Sequence, residues 1–371
     1  MYDYARPKQG NKLSKLWKPR RSMLILGSVL ILLLPALLAL SSSMIGSTQP
    51  LSTWHIESFG PVVFNPDGTL FATARGLIEL RRADNGDLVG TLPTSTAGSI
   101  AWSPDGQFIA EGGGDGNVQV WRVTDASPFI TLQTPDSAQA DFMSVEDLTF
   151  SPDGQLLAAA IVGNRVRVWD VARGRLVHTL QKNLHGSDRR NSVAFHPEGE
   201  ILAAITSSGD VVLWQAQDGL ELRTLPVNNA NDLIFSPDGK FLAVARSDDS
   251  YSEISGRDAH GEVQIWDLSS SEQEPVRRLL SREFLHHVIW SQNNQFVAAA
   301  GNTTENEGPL GRWEWWSSNR PIYLWNTTDD WSPQSFTSPQ QEINGLTFSR
   351  DSQRLLASGA EIVSVWQVPK E

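Results

Sequence analysis

One stretch recurs along this chain and limits what it can become. An aromatic residue followed at once by a tight turn appears at Phe64, Trp102, Phe150, Phe195, Phe235, Trp290 and Phe348. The turns read NPDG at 65, SPDG at 103, SPDG at 151, HPEG at 196, SPDG at 236, SQNN at 291 and SRDS at 349. Proline fixes φ in such a turn and glycine accepts a positive φ. An apolar run follows each turn, then a second turn, then an alternating strand. Six of the seven units close that strand on tryptophan: Trp121, Trp169, Trp214, Trp266, Trp325 and Trp366, with Leu80 in that place in the first. From Pro104 to Trp121, Pro152 to Trp169 and Pro197 to Trp214 the spacing is 17 positions. The fullest copy, residues 147–180, reads as four short strands joined by three turns. A fixed period of this kind marks a repeat architecture, in which no single unit can bury its own apolar faces.

The pattern resembles the WD40 repeat family across residues 51–371. The resemblance rests on strand ends of the form apolar-x-apolar-Trp, with Asp following in Trp169-Asp170 and Trp266-Asp267, and on the FSPDG-type turns. It implies an all-β fold, a seven-bladed β-propeller whose blades surround a central channel. The Gly-His pair that often opens a repeat is absent, and an Asp six positions before the tryptophan occurs only as Asp115. The family's buried Asp-His-Ser-Trp tetrad is therefore not carried over. The last repeat, 343–368, has three strands, and a lone strand at 51–59 is expected to complete it, leaving no open sheet edge.

Charge and hydropathy divide the chain. Residues 1–22 hold seven basic residues and one acidic, leaving the remainder with 23 basic and 41 acidic residues, a net of −18. So acidic a domain argues against nucleic acid, which needs clustered Lys and Arg. Residues 23–40 are 18 positions without a charge; as a helix they reach about 27 Å, enough for a hydrocarbon core. The basic flank lies on the N-terminal side, which predicts a cytoplasmic N-terminus. The expected layout is a basic cytoplasmic tail (1–22), a transmembrane signal-anchor preceding the propeller (23–45), a linker (46–50) and an extracytoplasmic propeller (51–371). A cleaved signal peptide ending near Ala39-Leu40-Ser41 is the alternative. There is no cysteine, which excludes disulfides and thiolate metal sites.

Function in a repeat ring is expected in its loops. Two units carry insertions between the second and third strands. Pro237 to Trp266 spans 29 positions, with extra residues in 248–260, and Gln292 to Trp325 spans 33, with extra residues in 303–320. The resemblance implies that these loops open on the same face as the long connections at 133–145 and 181–191. The cluster Trp313, Trp315 and Trp316, flanked by Arg312 and Arg320, is the sharpest candidate for binding another protein, because aromatics and Arg dominate interface hot spots. Packing of the same tryptophans on the edge of the sixth unit is the alternative. Asp248 and Asp249 join the candidate surface; a Ca²⁺ site there fits no EF-hand spacing. His286-His287 open a strand, where neighbours point to opposite faces, so they are read as structural.

No GxSxG, HExxH or P-loop pattern is present. The expectation is a non-enzymatic, monomeric, membrane-tethered interaction scaffold with no cofactor or metal. Two alternatives stand beside it: a secreted or periplasmic propeller binding a glycan or small ligand, and a metal-dependent hydrolase. For the hydrolase, the inner strands offer mainly Asp147 and Asp232.

Overall fold

The computed structural model describes residues 49–56, 60–74, 76–94, 98–134, 144–162, 165–181, 192–247, 261–281, 283–302, 320–340, 342–359 and 361–369. They belong to the unit Ser47–Glu371; the other unit is Met1–Gly46. The expected tail and signal-anchor, residues 1–45, lie outside the described residues. Among the described residues no helix is long and apolar enough to cross a membrane.

Strand β1 (Ser52–His55) comes first. Blade 1 holds β2 (Val62–Phe64), β3 (Leu70–Ala74), β4 (Ile78–Arg82) and β5 (Leu88–Leu92). Blade 2 holds β6 (Ser99–Trp102), β7 (Phe108–Gly112), β8 (Val118–Arg122) and β9 (Ser127–Leu132). Blade 3 holds β10 (Val145–Phe150), β11 (Leu156–Ile161), β12 (Arg165–Asp170) and β13 (Arg175–Gln181). Blade 4 holds β14 (Val193–Phe195), β15 (Ile201–Ile205), β16 (Val211–Gln215) and β17 (Glu221–Leu225). Blade 5 holds β18 (Ala230–Phe235), β19 (Phe241–Ser247), β20 (Gly261–Asp267) and β21 (Arg277–Ser281). Blade 6 holds β22 (Phe284–Trp290), β23 (Phe296–Asn302), β24 (Arg320–Asn326) and β25 (Pro333–Ser338). Blade 7 holds β26 (Gly345–Phe348), β27 (Arg354–Ser358) and β28 (Ile362–Gln367).

Among the described residues these strands form seven four-stranded antiparallel sheets. The first strands contact one another in cyclic order, β2 touching β6 and so on to β26, which returns to β2. The result is a closed ring with β2, β6, β10, β14, β18, β22 and β26 innermost. β1 pairs with β28, setting Trp54 opposite Val363, and so supplies the fourth strand of blade 7. The Trp54 ring stacks on Phe71 of blade 1 at 5.5 Å, and Arg354 Nη1 donates to the Ala83 carbonyl at 2.8 Å. Both ends of the described ring are thus tied across its seam.

The core lies between blades. Seven apolar clusters fill the described ring, each drawn from two neighbours. One combines Val118, Val120 and Leu132 of blade 2 with Leu148, Phe150 and Trp169 of blade 3. Second strands such as β11 are covered on both faces, which is why they read as continuous Ala, Leu and Ile runs rather than alternating ones. Trp169 and Trp366 have no exposed surface, and Trp169 Nε1 donates to the Gln133 carbonyl of the preceding repeat.

The recurring turn has a local cause. In blade 2, Ser103 Oγ donates to Asp105 Oδ1 at 2.6 Å and accepts the Phe108 N–H at 2.9 Å, while Gly106, at φ 71°, returns its N–H to the Ser103 carbonyl. Blade 3 repeats this with Ser151, Asp153 and Gly154. The variant turns SQNN and SRDS have the same shape: Asn294 at φ 61° and Ser352 at φ 58° occupy the left-handed position that glycine takes elsewhere.

Candidate functional site

A four-stranded antiparallel blade puts its first and third turns at one end, and its middle turn and outgoing connection at the other. The two insertions are both middle connections, joining β19 to β20 and β23 to β24. They therefore leave the ring at the same end, from adjacent blades. Asp248, Asp249, Arg312, Trp313, Trp315 and Trp316 lie outside the described residues. Arg320 is described: it is the first residue of β24, partly buried, and paired in register with Ser338.

The root of the first insertion is tied to blade 6 at Leu285, which pairs with Gly301, one residue before the end of β23. Asn231 Nδ2 donates to Ser247 Oγ at 2.9 Å and to the Leu285 carbonyl at 2.8 Å. Ser247 ends β19, where the first insertion departs, and its own hydroxyl also reaches Leu285 O in blade 6. Across the same base Arg246 Nη1 meets Glu262 Oε1 at 3.0 Å, and Arg278 Nη1 meets that oxygen at 2.8 Å. Burial opposes ionisation of Glu262, yet hydrogen bonds from Gln264 and Arg246 and the charges of Arg246 and Arg278 hold its carboxyl below the usual value.

Beside this base a chain of polar groups crosses the inner ring. Ser192 Oγ lies 3.0 Å from Asp147 Oδ2 and 2.8 Å from Asp232 Oδ1. Asp147 also accepts the N–H groups of Leu148 and Val193, and Asp232 those of Leu233 and Val288. The bridge thus joins blades 3, 4, 5 and 6 through their inner strands. Both carboxyls keep some exposed surface at the channel but are crowded by protein. Burial pushes Asp147 up to about 6. Burial, and then the charge on Asp147, push Asp232 up to about 7.

A serine hydroxyl has one proton to give. Placed between two carboxyls, it satisfies both only if one of them is protonated and donates to it. Asp232 holds its proton to the higher pH, so between about pH 6 and 7 its O–H donates to Ser192 Oγ while Ser192 donates to the Asp147 carboxylate. Its bonds to Val193 and Val288 cross to neighbouring inner strands, so the bridge clamps the ring. Among the described residues no group of three or more His, Cys, Asp or Glu could hold a metal ion.

Sequence reasoning had singled out Asp147 and Asp232 without their partner. Ser192 sits three positions before the blade aromatic Phe195, as Asp147 does before Phe150 and Asp232 before Phe235. Superposing the repeats on that aromatic would have exposed the Asp-Ser-Asp run. His287 holds the same place before Trp290. The expected alternation of His286 and His287 is broken, because the pairing of β22 with β23 skips a residue between Leu285 and His287. The same bulge precedes Asp147 in β10 and Asp232 in β18, and it shifts the facing pattern by one residue.

With this geometry established, known proteins supply the class. The description "WD domain, G-beta repeat" matches residues 86–122, and "Anaphase-promoting complex subunit 4 WD40 domain" matches residues 133–187. No curated protein sequence matches the chain. Among solved structures, the β-propeller domain of Cps50 (Swd1) from Myceliophteria thermophila is similar, with a TM-score of 0.65 at 16% identity, covering 86% of this chain and 99% of that one. The described ring is a seven-bladed β-propeller, and its stretches 86–122 and 133–187 match WD40 repeats. Propellers of that type are in general non-enzymatic platforms for other proteins.

Proposed function

We propose that this protein is an interaction scaffold that binds another protein through the rim carrying its two insertions. The observation that carries the reading is the tie from the root of the first insertion, Ser247 with Asn231 of blade 5, to Leu285 of blade 6, which pairs beside the end of β23 where the second insertion departs. Two long connections rooted on adjacent blades at one end of the ring put their residues within reach of a single partner, and ordered roots reduce the entropy lost on binding. Trp313, Trp315 and Trp316, with Arg312 and Arg320 at the ends, are assigned as its anchors, and Asp248 and Asp249 as its acidic border. Residues 23–45 tether the scaffold to a membrane as a single-pass anchor, with the N-terminus cytoplasmic and the monomeric propeller on the other side. The apolar run and its one-sided basic flank support that topology.

The test uses the full chain purified from its native membrane. Replacing Trp313, Trp315 and Trp316 by Ala is expected to abolish capture of the partner retained by the wild type while leaving the melting temperature unchanged. A lowered melting temperature with capture intact would make these tryptophans packing residues and overturn the assignment. Protease protection of the propeller in sealed membrane vesicles reads the sidedness.

A further inference from the structure

The end of the ring opposite the insertions has a feature of its own. Between blades 2 and 3, where the first turns of both blades meet the third turn of blade 3, an open groove of about 600 Å³ is lined by Phe108, Phe129, Phe150, Asp105, Asp153 and Asp170. That size falls within the range of ligand sites. Phe129, on outer strand β9, is 37% exposed, an unusual placement for its ring. It packs on Phe108 with ring centres 4.7 Å apart, tilted by 43°. The floor is therefore aromatic, while the lip is acidic.

The carboxylates differ in what they have left to offer. Asp170 is occupied: Arg173 meets it through both its N–H and its guanidinium, the latter at 2.5 Å. Asp105 and Asp153 each spend Oδ1 on the turn, accepting from Ser103 and Gln107 and from Ser151 and Gln155. Their Oδ2 atoms take no hydrogen bond from any described residue. Two exposed carboxylate oxygens thus flank an aromatic floor. The Phe129 ring tolerates a cation: the Arg122 guanidinium, held by Ser127, lies 5.6 Å from its centre, outside the groove lining, and takes up one side of the ring. A lysine or arginine side chain suits such a place, its stem lying on the rings and its head reaching the carboxylates.

We propose that this groove takes a basic segment of a partner protein, seating a Lys or Arg side chain between the Phe108–Phe129 pair and the free carboxylate oxygens of Asp105 and Asp153. The charge of the chain outside residues 1–22, −18, favours approach of such a segment. The groove and the insertions occupy opposite ends of the ring, so this inference stands or falls apart from the proposed rim.

The probe is a fluorescent heptapeptide alternating lysine and leucine, with a glutamate–leucine peptide beside it, titrated by anisotropy against the full-length protein. The lysine peptide is expected to bind and the glutamate peptide not to. Asp105→Asn with Asp153→Asn, which keeps the Oδ1 acceptors of both turns, should weaken binding at least tenfold, and so should Phe129→Ser. A charge-matched control, Asp84→Asn with Asp87→Asn in the turn between β4 and β5, should change it less than twofold. Equal losses in the groove and control variants would mean general attraction to an acidic surface and would overturn the proposal, as would no binding by the wild type at millimolar peptide.

Discussion

Neutralising one carboxyl in the Asp147–Ser192–Asp232 bridge should change how stability depends on pH, with a sign that the geometry fixes. In the folded ring Asp147 titrates near 6 and Asp232 near 7, against an ordinary value of 3.8. The unfolded chain gives up both protons near pH 4, and the folded ring holds them until pH 6 to 7. Between those limits the folded state binds more protons, so stability falls as pH rises from about 4 to about 7 and then levels. Each unit is worth about 1.4 kcal/mol, so the displacement of Asp232 sets an upper limit of about 4 kcal/mol. Part of that limit is the repulsion it shares with Asp147. In Asp232→Asn the amide donates to Ser192 and never ionises; it leaves the Leu233 N–H without its acceptor, a cost that does not vary with pH. Urea unfolding of wild type and variant, followed by tryptophan fluorescence between pH 5 and 8, isolates this effect. Turn carboxyls such as Asp67 and Asp267, held low by hydrogen bonds from Thr69 and Ser269, titrate below this window. The variant should gain up to about 2.5 kcal/mol on the wild type between pH 5 and pH 8, the part of the limit that falls in this window. Parallel curves would refute a shared proton in the bridge.

Other expectations follow from the same packing. Trp169→Ala leaves a cavity at the interface of blades 2 and 3 and should cost about 3–5 kcal/mol, read from the urea midpoint. Deleting residues 49–56 removes β1 and bares the β28 edge; the chain should melt lower and self-associate in sedimentation runs. Asn294→Gly relieves a left-handed residue whose buried Oδ1 has no hydrogen-bond partner among the described residues, but the added freedom of the unfolded chain offsets that gain, so the same unfolding assay should change by less than about 0.5 kcal/mol.

The repeat was legible because its signals are local. Pro-Asp-Gly turns, apolar runs covered on both faces and a tryptophan at a fixed spacing each follow from a few adjacent residues, and together they imply seven blades. Closure by the first strand was legible from a missing fourth strand in the last repeat. The bridge was not, because Ser192 is 45 residues from Asp147 and 40 from Asp232, and only ring closure brings the three together. The bulges before Asp147, Asp232 and His287 were hidden for a similar reason, since alternation in one strand says nothing of a skipped residue in its pairing. The SQNN and SRDS turns showed that the turn's shape survives the loss of glycine, because Asn294 and Ser352 accept the same backbone conformation. The insertions were legible as excess length, and the tie from Asn231 and Ser247 to Leu285 of blade 6 became evident only in the folded ring.

The central claim is that a partner protein sits on the insertion-bearing rim. A photo-reactive amino acid placed in living cells at position 315, at position 248 or, on the opposite end of the ring, at position 67 tests it directly. One discrete adduct, of the same protein, is expected from positions 315 and 248, and none from position 67. No adduct from either rim position, or the same adduct from all three, would contradict it.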